Sequence, residues 1–173
     1  MKSLIVYSSR TGNTRSIAEA IAAALPESDI FAVEEAPAAD SLPATYGMVC
    51  VGYWVDKGMP DEKAKTYLES LKGCKVALFG TLGAWPDSDH AKECIRKSEE
   101  LAANAGNTVL GSFMCQGRVD PRITAMMNKM APNVHPMTPE RKARLEEAAK
   151  HPDDNDRARA QEAFKGFAEA AGE

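Results

Sequence analysis

Five short apolar runs punctuate the chain, at residues 4–7, 30–33, 48–53, 76–81 and 109–115. Between them lie segments whose apolar residues recur every three or four positions, the spacing of one helical face. Ile17, Ile21 and Leu25 mark the first such segment, which Pro26 ends. Ala64, Tyr67, Leu68 and Leu71 mark the second, with Pro60 as its expected first helical position and Gly73 as its close. Ala91, Cys94, Ile95, Leu101, Ala102 and Ala105 stripe a third over residues 89–105, which Gly106 closes and Asp89 caps. The strand runs are apolar at successive positions, so both their faces need cover, as in a parallel sheet flanked by helices. Strands alternating with helices of this length imply right-handed crossovers and an open, doubly wound α/β sheet of five strands.

Beyond Cys115 the pattern changes. Asp120-Pro121 can start a short helix whose stripe is Ile123, Met126, Met127 and Met130, a set expected to fill core. Pro132, Pro136 and Pro139 break a loop, and Thr138 can cap a helix running from Pro139 to about Lys150. Asp153 or Asp154 can cap a last helix carrying Ala160, Phe164, Phe167 and Ala171 on one face. The expected organisation is a core over residues 1–117 and a helical extension over 118–173 packed on the same domain.

The 173 residues suit one domain, and 44 % hydrophobic with 27 % charged residues is ordinary for a globular chain. A formal net charge of −4 with no basic arm argues against nucleic-acid binding and suits a partner with a positive patch. Cys50, Cys74, Cys94 and Cys115 form no CxxC pair and no Cys/His cluster, so no metal site is expected and the thiols read as reduced and structural. No apolar stretch resembles a leader or a membrane span, so a cytoplasmic location is expected.

The most specific chemistry follows the first strand. Ser9-Arg10-Thr11-Gly12-Asn13-Thr14 joins that strand to its helix. Free backbone N–H groups and the positive end of the helix dipole meet there, hydroxyls from Ser9, Thr11 and Thr14 and the Asn13 amide can donate, and Gly12 lets the chain curl. No lysine follows the glycine as in a Walker loop, and no GxGxxG is present, so a terminal phosphate monoester fits better than a nucleoside triphosphate or a dinucleotide. With Ser8 in front, this loop in this place resembles the phosphate loop of the flavodoxin family, over about residues 2–117. The resemblance implies strand order 2-1-3-4-5 and FMN, held non-covalently, at the carboxyl edge of the sheet. The topological switch point between the first and third strands agrees.

An FMN phosphate on that loop implies a ring lying across the loops after strands three and four. Trp54 and Val55 lie just past strand three, where Trp54 can stack and Gly58 can let a peptide reorient, as flavodoxins do. After strand four come Thr81, Leu82, Gly83, Ala84 and Trp85, with backbone N–H groups for the polar edge of the ring and a second stacking candidate in Trp85. Flavodoxins often place a tyrosine there, so the covering aromatic stays open. Asp56, Asp61, Glu62, Asp87 and Asp89 form an acidic rim that would lower a flavin potential. His135 is a candidate proton donor. The implied function is electron transfer between a reductase and a partner enzyme, with no catalytic side chain. An FMN-dependent NAD(P)H or quinone oxidoreductase, or a flavodoxin-like accessory to a dedicated reductase, is the alternative. A receiver module needs an acidic pair after strand one and a lysine after strand five; Ser8-Ser9 and Gln116 stand there instead.

Overall fold

The computed structural model describes residues 2–42, 46–134 and 136–172; His135 and Pro43 lie outside them. Five strands form one parallel sheet: β1 (Lys2–Tyr7), β2 (Ser28–Ala32), β3 (Tyr46–Asp56), β5 (Lys75–Leu82) and β6 (Thr108–Gln116), in the order β2-β1-β3-β5-β6. A sixth, two-residue strand, β4 (Met59–Pro60), pairs antiparallel with the end of β3. Counting the five parallel strands alone, the order is the expected 2-1-3-4-5.

Alternation along each strand sends side chains to two cores. Leu4, Val51, Val76, Leu78 and Met114 face α2 (Glu62–Ser70) and α3 (Asp89–Asn104). Ile5, Cys50, Ala77, Phe79 and Phe113 face α1 (Asn13–Ala24) and α6 (Asp154–Gly172). The Ile17 and Ile21 stripe of α1 is fully buried, as its spacing requires. Phe164 of α6 is also fully buried, edge-on to Phe79 at 5.7 Å and to Phe167 at 5.2 Å. Truncating such a ring costs about 3–5 kcal/mol, so α6 is part of the sheet's cover. The helices between β6 and α6 differ: α4 (Pro121–Met130) buries no residue, and α5 (Pro139–Ala148) buries only Ala148. The methionine stripe of α4 therefore does not fill core; Met126 and Met130 are 53 % and 77 % exposed.

Three boundaries depart from the sequence pattern for local reasons. Strand β3 runs on past Tyr53 through Trp54, Val55 and Asp56, because Lys57 (φ 49) and Gly58 (φ 78) make a two-residue hairpin turn that folds Met59-Pro60 back onto it. Positive φ at both turn positions matches the right-handed strand twist. Pro60 is thereby a strand residue, and Asp61 caps α2 by accepting the Ala64 N–H. That helix ends at Ser70, ahead of Gly73. At α3 the cap is Ser88, whose hydroxyl accepts the Ala91 N–H, and Asp89 is the first helical residue.

The start of α6 is held by reciprocal bonds, Asp156 N–H to Asp153 and Asp153 N–H to Asp156. His151 joins this cluster, with Nδ1 on the Asp156 carboxylate and Nε2 3.3 Å from Glu147. The hydrogen bond to Asp156 comes first among the causes that raise the His151 pKa, and Glu147 adds to it. A raised histidine pKa means stability that is fully present below the unfolded value of about 6.5 and lost as pH climbs through the folded value. The thermal midpoint of the wild type should therefore exceed that of His151→Gln by a few degrees at acidic pH, and the gap should shrink towards pH about 9. A gap that widens with pH would show that the imidazolium pairing contributes nothing.

Candidate functional site

Strand β1 delivers the chain to the carboxyl edge at Tyr7, and α1 starts six residues later. Gly12, at φ 92, is the N-cap of α1 and has no side chain with which to cap it. Asp61, Ser88, Asp120 and Thr138 cap α2 to α5, and Asp153 serves α6. Among the described α-helices, α1 is thus the one whose N-cap residue supplies no side-chain acceptor; Ser9 Oγ, three residues earlier, takes the Arg15 N–H and leaves those of Asn13 and Thr14 with no side-chain acceptor among the described residues. The left-handed φ at Gly12 strains any L side chain, whereas a Cβ there would meet nothing within 4 Å. The constraint on Gly12 is backbone conformation and not space.

The other loop residues divide in two. Arg10, Thr11 and Gly12 are exposed and Ser9 half-buried. The Ser9 Oγ accepts the N–H groups of Gly12 (3.2 Å) and Arg15 (3.3 Å) and keeps its own hydrogen to donate. Thr14 is fully buried, its hydroxyl 2.9 Å from that of Thr81 at the end of β5. Asn13 Nδ2 donates to the Arg118 carbonyl at 2.9 Å, just beyond β6. Thr14 and Asn13 thus fix the loop's shape with the side chains the sequence offered as ligand donors.

Arg10 lies between two other elements. Its guanidinium sits 5.6 Å from the centre of the Trp54 ring, and its Nε is 3.4 Å from a carboxylate oxygen of Asp120. Asp120 is buried, and its hydrogen bonds to Arg122, foremost the side chain, followed by its weaker contact with Arg10, hold its carboxyl down at about 2.

Trp54 and Val55 are half-buried in the β3–β4 hairpin, Val55 paired with Pro60. Gly58 forms the hairpin tip, where a Cβ would lie 3.7 Å from His90 at the start of α3. Thr81 and Leu82 belong to β5 and are buried; Gly83 and Ala84 follow half-buried, and Trp85 is 45 % exposed. No ring contact joins Trp54 and Trp85 among the described residues. A Cβ on Gly83 would strike Val119 at 2.2 Å, and one on Gly117 would strike the Asn13 amide at 2.5 Å. The segment after β6 therefore wedges between the phosphate-type loop and the loop after β5, and glycine is required where it does.

Two contributors escaped the sequence pattern. Asp61, expected on the acidic rim, is 3 % exposed and accepts the Ser8 hydroxyl at 2.7 Å and the Trp54 N–H at 3.4 Å. Burial is the first cause raising its pKa, and those hydrogen bonds partly offset it. Its signal was present in the sequence, since an aspartate three residues before Ala64 has capping spacing. Gln116 ends β6 beside Leu82, and its Nε2 is buried with no hydrogen-bond partner among the described residues. Nothing in the sequence marks that orphan; it follows from register.

The edge thus offers a helix start entered through glycine, an exposed loop with hydroxyls, a half-buried indole, and an unsatisfied buried amide. The flavodoxin domain family matches residues 4–165. A flavodoxin-like domain-containing protein BilS of Clostridioides difficile (strain CD3) is 38 % identical over 160 residues, covering 90 % of each chain. Flavodoxin 2 of Bacillus cereus superposes with a TM-score of 0.62 at 21 % identity, over 98 % of this chain and 99 % of that one. A flavoprotein of Lactobacillus acidophilus NCFM, in complex with FMN, gives 0.51 at 19 % identity, over 65 % of this chain and 92 % of that one. The chain belongs to the flavodoxin domain family.

Proposed function

We propose that this protein binds FMN non-covalently at the carboxyl edge and carries electrons between a reductase and a partner enzyme. The observation that carries the reading is the start of α1. A helix whose Asn13 and Thr14 amides have no side-chain acceptor among the described residues, entered through a left-handed glycine and flanked by hydroxyls, suits a phosphate dianion. The absence of a nearby lysine in the loop suits a monoester neutralised by dipoles. In this reading Ser9, Thr11, Gly12 and the first-turn N–H groups of Asn13 and Thr14 hold the phosphate, while the Asn13 and Thr14 side chains hold the loop. Trp54 covers one side of the ring, with Val55 and Gly58 of the same hairpin beside it. The backbone from Thr81 through Leu82, Gly83 and Ala84 meets its polar edge. The buried Nε2 of Gln116 is a donor that a ring carbonyl would satisfy. When bound, the flavin supplies the redox chemistry, and this chain binds, orients and tunes it. The likeness to an FMN-bound flavoprotein and the membership of the flavodoxin family support the same cofactor. An unaided NAD(P)H oxidation assay separates a carrier from the oxidoreductase alternative.

Three measurements test this. FMN added to the cofactor-free protein should quench in fluorescence with a Kd at or below the micromolar range, and no quenching at all would remove the cofactor assignment. Gly12→Val should weaken FMN roughly tenfold or more, because a β-branched residue in the left-handed region costs about 1–3 kcal/mol; equal affinity would remove the loop from the site. Trp54→Ala should keep phosphate affinity, measured with FMN against riboflavin, but displace a flavin midpoint potential. Superimposable redox titrations would place the indole outside the site.

A further inference from the structure

Among the described residues the exposed large hydrophobic side chains are Trp85, Met126, Met130, Val134 and Met137. Four of them fall within one stretch of α4 and the loop after it, and the fifth belongs to the loop after β5 at the edge just described. Trp85 and Val134 line one recess of about 410 Å3, together with Pro136, Glu140, Arg141 and Arg144. Met126 and Met130 lie one turn apart on α4, and Arg141 Nη1 donates to Asn128 of that helix at 3.1 Å, so α5 and α4 are tied together beside the recess. Scattered exposed hydrophobics need no explanation, but a grouped set on a segment without core duties marks a contact surface.

The charge of this stretch runs against the rest of the chain. From Arg122 to Arg144 there are five basic residues and one acidic residue, Glu140, a net of +4 in a chain whose total is −4, although two of those cations are offset from just outside the stretch, Arg122 by Asp120 and Lys142 by Glu146. The remainder therefore carries −8. Glu140 is turned towards its own N–H and the Thr138 hydroxyl at the helix start. Arg144 Nε is buried with no hydrogen-bond partner among the described residues. A desolvated guanidinium donor without an acceptor is costly unless one arrives from outside.

We infer that the face formed by α4, the loop after it and the start of α5 docks an acidic protein surface, seating carboxylates against Arg141 and Arg144 while Met126, Met130 and Trp85 supply the apolar contact. Methionine suits this because its flexible thioether adapts to a partner without a fixed shape. A protein fits better than a small anion because Met126 and Met130 lie outside the lining of the recess and a small ligand would leave them uncovered. The inference rests on the electron-carrier reading for its purpose: a partner here stands beside the loop that holds the ring.

The test uses the full-length protein, loaded with FMN and cofactor-free, and cytochrome b5 as a probe with a known acidic surface. Calorimetric binding should be measurable at about 20 mM salt and weaken roughly tenfold by about 200 mM. The pair Arg141→Glu and Arg144→Glu should weaken it at least about tenfold, and Met126→Ala with Met130→Ala by a few fold, with circular dichroism and FMN affinity unchanged. Lys63→Glu, on α2, should change binding little. Three outcomes would overturn the inference: arginine variants that bind as the parent does, benzoate taken up in the recess while cytochrome b5 is not, or a dimer in sedimentation that the arginine variants dissolve. Binding is read without electron transfer, so it can fail while FMN uptake succeeds, and the reverse.

Discussion

The first turn of α1 has backbone N–H groups that must find acceptors, and among the described residues only that of Arg15 meets a side chain, the Ser9 hydroxyl. The surrounding edge is organised around that deficit. Ser8 is tied to Asp61 at the start of α2, Thr14 to Thr81 at the end of β5, and Asn13 to the carbonyl of Arg118 beyond β6. Three separate crossovers thus grip one short loop from three sides. A loop held this way is ordered before any ligand binds, so little ordering cost would remain for one. The sheet beneath supplies the rigidity, since its central strands are buried on both faces and cannot shift without disturbing two cores.

How legible all this was depends on how local the information is. The loop joining β1 to a helix entered through Gly12 could be read because its residues are contiguous and their chemistry is short-range. The strand order followed from alternation and crossover handedness. Asp61 was misjudged because its surroundings come from elsewhere. The hairpin that buries it turns at Lys57-Gly58, which lacks the asparagine or aspartate that usually announces such a turn. Ser98, a polar residue in the inward stripe of α3, gave no sign of being core; it is buried because the Tyr53 hydroxyl meets it 2.9 Å away, across 45 positions of sequence. The α4 methionines have the spacing of a buried stripe, and periodicity alone cannot say whether an element lies above that stripe.

The stretch after β6 shows a similar division. By its stripe α6 is a core helix, and Phe164 against Phe79 makes it the partner of α1 on that face. What lies between β6 and α6 is therefore inserted before the closing helix and is not a trailing addition. Its first residues are constrained, since Gly117 and Val119 fill the space between two site loops and Asp120 both caps α4 and receives Arg10. Beyond Asp120 that constraint ends, and the sequence is free to serve the surface.

The acidic character of the edge needs the same distinction between place and count. Asp56, Glu62, Asp87 and Asp89 are exposed, so water and salt screen them and each contributes little to the potential at this edge. Asp61 is buried beneath the loop, where a charge acts through a far lower effective dielectric, and its raised pKa records what that burial costs. Arg10 lies over the Trp54 ring, and the buried Asp120 carboxylate holds Arg10 by its Nε. The field at this edge is therefore set by two or three placed charges, one of them tethered from the insertion. A tally of carboxylates along the loops predicts a strongly negative edge; Asp61 and Asp120 set against Arg10 and Arg122 give a balanced one. The position of Arg10 over the indole decides between them.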